Sequence, residues 1–163
     1  MIVVLMGVSG SGKTTIGQML AEQVGWPFYD GDSFHPPENI AKMRRGGGEP
    51  LTDADRDGWL AALSELAARL SETGQPALIA CSALKHAYRE RLREAGDDVR
   101  FVYLKGSYEL IRTRLESRRE HFFQPALLDS QFEALEEPSD APTVDIQQPP
   151  EAIIQQIRQA LGI

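Results

Sequence analysis

Gly7-Val8-Ser9-Gly10-Ser11-Gly12-Lys13-Thr14-Thr15, preceded by the apolar run Ile2-Val3-Val4-Leu5-Met6, decides how the rest of the chain is read. The stretch fits Gly-x4-Gly-Lys-[Ser/Thr], with a strand pattern before it and an amphipathic helical pattern from Thr14 to Val24 after it. Its residue types follow from the chemistry of holding a nucleotide's phosphates. Glycines let a tight loop turn its N–H groups inward, Lys13 reaches the β- and γ-phosphates, and the Thr14 hydroxyl can ligate Mg2+. The positive end of the helix dipole adds to the attraction. All nine residues from Gly7 to Thr15 are therefore expected at a nucleotide site.

Short apolar runs and helical patterns alternate along the remaining chain: Pro27–Tyr29, Trp59–Leu70, Ala77–Cys81, Lys85–Glu94, Val99–Leu104, Tyr108–Arg118, Thr143–Ile146 and Glu151–Leu161. Such alternation predicts an α/β fold of three layers, α/β/α, around a mainly five-stranded parallel sheet. Apolar positions in Trp59–Leu70 recur at helical spacing, which assigns that helix to the scaffold. Two segments break the pattern, Gly31–Arg56 and Arg119–Pro138, and both are rich in charge, His, Gly and Pro. Long connections of this kind are usually binding loops or lids, so the first is expected to cover an acceptor and the second the nucleotide. One domain, 1–163, is expected to contain both.

Composition narrows the function classes. The 163 residues are 42% hydrophobic and 25% charged, as in an ordinary globular protein, and the formal net charge of −7 argues against a broad nucleic-acid surface. An anionic ligand must be held by local cations. No apolar run approaches the roughly 18 residues of a membrane span, and the first residues lack a basic region and cleavage site. The single cysteine, Cys81, ends an apolar run and is expected in the core. These features predict a cytoplasmic protein without membrane or nucleic-acid partners.

Three further motifs carry a resemblance. They are Tyr29-Asp30-Gly31-Asp32-Ser33-Phe34-His35-Pro36, then Cys81-Ser82-Ala83-Leu84-Lys85 with Tyr88-Arg89, and last His121-Phe122-Phe123 followed by Leu127-Leu128-Asp129-Ser130-Gln131-Phe132. In this order the chain, from the first strand to about Pro138, resembles the gluconokinases of the small phosphate-loop type. It departs from their pattern at Asp57-Gly58, where many members have a basic residue and proline, and at Glu120, where glycine is common. The resemblance implies a fold like that of shikimate and nucleoside monophosphate kinases. It also implies transfer of the γ-phosphoryl group of ATP to D-gluconate with Mg2+, giving 6-phospho-D-gluconate, and a homodimer.

Phosphoryl transfer asks for a metal site, cationic clamps and a base near the acceptor hydroxyl. Asp30 and Asp32, one residue apart beyond a short strand, extend toward the same face. Likeness to related kinases implies that Asp30 organises Mg2+ and Asp32 orients or deprotonates gluconate, although the roles can be exchanged, and Asp-Gly-Asp also suits a plain turn. His35 is a candidate hydrogen-bonding partner for a polyol hydroxyl. The gluconate carboxylate needs a cation, with Lys85, Arg89, Arg44 and Arg56 as candidates. Lys85 and Arg89, four residues apart beyond Ser82, are preferred because they share a helix face where ligands of open α/β sheets bind. Arg114 and Arg118 repeat that spacing and are expected to clamp ATP phosphates, while Arg112 and Arg119 flank them. His121 and Gln131 would line the closed acceptor side, with Phe122, Phe123 and Phe132 excluding water. Two other readings stay open: another small-molecule kinase, of shikimate or nucleoside type, and a nucleotide-dependent switch without acceptor chemistry. The His35-Pro36 and Ser82–Lys85 motifs speak against the first, the paired aspartates against the second.

Overall fold

The computed structural model describes residues 1–45, 49–118 and 124–163. Five strands, β1 (Ile2–Met6), β2 (Phe28–Asp30), β3 (Ala77–Ala80), β4 (Val99–Lys105) and β5 (Thr143–Asp145), form one parallel sheet in the order β2-β3-β1-β4-β5. The described residues also form seven α-helices: α1 (Lys13–Val24), α2 (Pro37–Arg44), α3 (Asp53–Glu72), α4 (His86–Arg93), α5 (Tyr108–Glu116), α6 (Pro125–Ala134) and α7 (Pro150–Leu161). The expected α/β/α arrangement is thus present.

Strand β1 is central because it is apolar on both faces. Ile2, Val4 and Met6 pack with Trp59, Leu63 and Leu70 of α3 and Tyr88 and Leu92 of α4, whereas Val3 and Leu5 pack with Ile16 and Leu20 of α1 and Ile154 and Ile157 of α7. The twofold alternation of a strand sends successive side chains to opposite helical layers, and a strand covered on both sides reads as an unbroken apolar run. Register runs Val4↔Ile79 toward β3 and Val4↔Phe101 toward β4. Strand order reverses direction at β1, so the crevice beyond its carboxyl end is where a ligand can enter.

The described parts of the two pattern-breaking segments hold more secondary structure than a loop reading implies. The first holds a 3-10 turn, Gly31–Phe34, helix α2 and the first turn of α3, which starts at Asp53 and not near Trp59. Thr52 is the reason: its side chain accepts from Asp55 N–H while the Asp55 carboxylate accepts from Thr52 N–H, a capping box that satisfies two helix-start donors. The second segment contains α6, begun by Pro125 at a position where the missing N–H costs nothing. Helix α5 stops at Glu116, short of the expected Arg118. Among the described residues no helix is long and apolar enough to cross a membrane.

Candidate functional site

A cavity of about 1200 Å³ opens at the carboxyl ends of β1, β2 and β3. Its floor is the loop from Gly7 to Thr15. Ser9, Gly10, Gly12, Lys13, Thr14 and Thr15 line it, while Gly7, Val8 and Ser11 lie buried beneath. Gly12 sits at φ 91° as the residue entering α1, a left-handed conformation that a side chain would strain. Lys13 Nζ donates to the carbonyl oxygens of Gly7, at 3.0 Å, and Val8, at 2.9 Å. Burial lowers the Lys13 pKa, and the nearby Asp32 carboxylate opposes that shift.

Asp30 and Asp32 both line the cavity. Asp30 Oδ1 accepts from Asp32 N–H at 3.0 Å, so the turn that composition suggests does form and it aims the second carboxylate. The Asp32 side chain has no hydrogen-bond or ion-pair partner among the described residues. Gly31 between them is required by a close approach, since a Cβ there would run into the carbonyl oxygen of Ala80 at the end of β3. Among the described residues no cluster of three metal-ligating side chains occurs. The oxygen donors that the cavity does hold, on Thr14 and Asp30, are of the type that Mg2+ takes, one or two protein oxygens beside waters and phosphates.

His35 lies on the cavity, stacked on Trp59 with ring centroids 4.3 Å apart and planes 13° apart. Trp59 is held in turn by its Nε1–H, which donates to Gly31 O at 2.8 Å. Burial lowers the His35 pKa, with Asp32 opposing and Arg56 reinforcing the shift. The ring is therefore neutral at pH 7. Asn39 Nδ2 lies 3.3 Å from His35 Nδ1 and donates to it in the tautomer that carries its proton on Nε2, leaving that N–H available. Asn39 Nδ2 also donates to Asp55 O at 2.7 Å, tying α2 to the start of α3.

The placement of the cations reverses the order of preference drawn from spacing. Arg44 and Arg56 line the cavity; Lys85 and Arg89 do not. Arg89 is buried, with Nη1 donating to Ala83 O at 3.0 Å and Leu84 O at 3.1 Å, so its charge braces the turn after β3, where Ala83 takes φ 42°. Lys85 Nζ lies 2.9 Å from Asp53 Oδ1 on α3. Ser82 does reach the cavity. Arg118 lines it too, but from the turn beyond α5, whereas Arg114 donates to Ile146 O at 2.6 Å and ties α5 to the connection after β5. Arg112, not Arg114 or Arg118, pairs with Glu116.

Gln131, on α6, lines the cavity, and its Oε1 accepts from Ser9 N–H at 2.6 Å, docking the helix onto the phosphate loop. Phe132 packs edge-on against Tyr108 of α5 and is absent from the cavity lining. His121, Phe122, Phe123 and Arg119 lie outside the described residues. Trp59, which helical spacing assigns to the scaffold, is a wall of the site as well. Periodicity could not separate those roles, because the contact that brings Trp59 to the aspartate turn joins residues 28 apart in the sequence.

Comparison with known proteins agrees with this geometry. The shikimate kinase family model matches residues 9–161. The thermoresistant gluconokinase of Escherichia coli is 47% identical over 157 residues, covering 94% of this chain and 89% of that protein. A gluconokinase structure from Sinorhizobium meliloti superposes with a TM-score of 0.85 at 44% identity, covering 98% of this chain and 93% of that one. An unliganded sugar kinase from Janibacter superposes with a TM-score of 0.91 at 45% identity, covering 99% and 94%. With a phosphate loop, an Asp-Gly-Asp turn and a docked α6 around one cavity, the chain belongs to the gluconokinase family, within the shikimate-kinase-like phosphate-loop kinases.

Proposed function

We propose that this protein transfers the γ-phosphoryl group of ATP to D-gluconate, giving 6-phospho-D-gluconate and ADP. The observation that carries the reading is one shared cavity on which the phosphate loop, an Asp32 carboxylate with no partner among the described residues, and two arginines, Arg44 and Arg56, converge. Gluconate has a hydroxyl to phosphorylate at one end and a carboxylate at the other, and the cavity offers a carboxylate base and guanidinium groups to match.

The loop residues from Gly7 to Thr15 hold the phosphates through backbone N–H groups, and Lys13 exchanges the carbonyls of Gly7 and Val8 for phosphate oxygens. Asp32 accepts the proton of the attacking hydroxyl, since Asp30 is the carboxylate already committed to the turn. Thr14 and Asp30 would hold Mg2+, which when bound neutralises charge on the β- and γ-phosphates. Arg118 meets the transferring group from the α5 side, His35 hydrogen-bonds a polyol hydroxyl through Nε2–H, and Ser82 closes the far wall. Gln131 releases Ser9 N–H when a phosphate oxygen takes that donor, and α6 then closes over the reactants. Arg114 serves the nucleotide side by positioning, and His121 remains assigned to the acceptor side. The proposal includes a cytoplasmic homodimer, which sedimentation would register at twice the chain mass.

Phosphorus NMR of a reaction with Mg-ATP and gluconate tests the reading. The expected result is a phosphomonoester signal split by the two protons of C6. An ATP spectrum unchanged by gluconate would refute it.

A further inference from the structure

Tyr88 and Lys85 stand outside the cavity, yet Tyr88 touches Arg56 directly and shares the Asp53 carboxylate with Lys85. The Tyr88 hydroxyl hydrogen-bonds Asp53 Oδ1, which also receives Lys85 Nζ at 2.9 Å. Arg56 Nη1 donates to the same tyrosine oxygen at 3.4 Å, and its guanidinium carbon lies 5.8 Å from the ring centroid. Direction in this chain of contacts is fixed by chemistry. A carboxylate only accepts and a guanidinium only donates, so the tyrosine proton must go to Asp53 and a lone pair must face Arg56. Asp53 and Arg56 share the first turn of α3, close enough that an unbalanced Asp53 would draw Arg56 into an ion pair. Lys85 supplies the balancing charge.

We infer that Tyr88, Asp53 and Lys85 form a cradle that holds the Arg56 guanidinium on the cavity for the acceptor's carboxylate, making them positioning residues for acceptor specificity. The inference rests on the acceptor reading given above. Of the cavity arginines Arg44, Arg56 and Arg118, Arg56 has side-chain partners among the described residues. A preorganised guanidinium loses less freedom on binding an anion than a loose one. The motif Lys85-x2-Tyr88 therefore serves the carboxylate indirectly, which explains why it lies beside the site without lining it.

Steady-state kinetics of Tyr88→Phe, Arg56→Gln and the double variant test this. Tyr88→Phe is expected to raise the gluconate KM roughly fivefold, with kcat and the ATP KM within about twofold of the parent. In the Arg56→Gln background the same change adds no further rise. Lys85→Met, which leaves the tyrosine in place, is expected to raise the gluconate KM as well, because Asp53 then competes for Arg56. A parental gluconate KM in Tyr88→Phe, or an equal rise with and without Arg56, would overturn the cradle; if Tyr88→Phe does not fold, a parental gluconate KM in Lys85→Met does so. Loss of gluconate turnover in the parent protein would instead overturn the acceptor reading, so the two failures are told apart.

Discussion

Lys13 shows how a single residue is readied for its ligand. Its ammonium group is buried and borrows two loop carbonyls, an arrangement that phosphate oxygens can replace without moving the backbone. Lys13→Ala is expected to lower kcat/KM about a hundredfold or more while far-UV circular dichroism stays unchanged, and parental turnover would contradict the phosphate role. Asp32→Asn keeps the shape of the turn and removes the base, so kcat should fall about a hundredfold or more with little change in the ATP dissociation constant. At this scale the aspartates, the phosphate loop and Ser82 were legible, because their order along the chain carries a turn or strand end with it. The choice among cations was not. Spacing put Lys85 and Arg89 on one helix face, but whether a cation faces a cavity depends on its neighbours, and here Asp53 and the carbonyls of Ala83 and Leu84 have claimed both. Arg89→Met should accordingly cost about 3 kcal/mol of stability, and thermal unfolding within about one degree of the parent would contradict that bracing role.

At the element scale, the start of α3 matters most, since its first turn carries both Asp53 and Arg56. The helix was read from the spacing of apolar residues, which starts only at Trp59, so its beginning was placed too late. The capping pair Thr52 and Asp55 was present in the sequence as the stronger signal. Asp55 also binds Lys42 of α2 at 2.7 Å, and that contact, with the Thr52 backbone and hydroxyl, holds the Asp55 pKa at about 2. A depressed carboxylate pKa stabilises the fold fully above its unfolded value near 3.8 and progressively less as the pH falls toward 2. The melting-temperature gap between the parent and Lys42→Met should therefore narrow between about pH 4 and 2. A gap independent of pH would show that the contact contributes no linkage. Helix α6 was hidden for another reason: its ten residues fall in a segment whose charge and prolines read as loop, and its docking depends on Gln131 finding Ser9 N–H far along the chain.

On the scale of the molecule, an acidic chain concentrates cations where phosphates and a carboxylate must meet. Lys13, Arg44, Arg56 and Arg118 line one cavity with Asp30 and Asp32, against a formal net charge of −7. The layers were readable in advance because parallel strands covered on both faces leave continuous apolar runs, as in β1 and β3. Cys81 reports on the whole fold. Burial pushes its thiol up to about 12, so labelling by a thiol reagent at pH 8 should proceed only through unfolding and should slow about a hundredfold with nucleotide at 100 times its dissociation constant. Rapid labelling of the folded protein would contradict that burial. The most direct test of the central claim is ADP release from Mg-ATP measured with gluconate, shikimate, nucleosides and a neutral hexitol under one set of conditions. Stimulation by gluconate, well above that by any acceptor without a carboxylate, is the predicted result, and equal rates with and without gluconate would contradict the account.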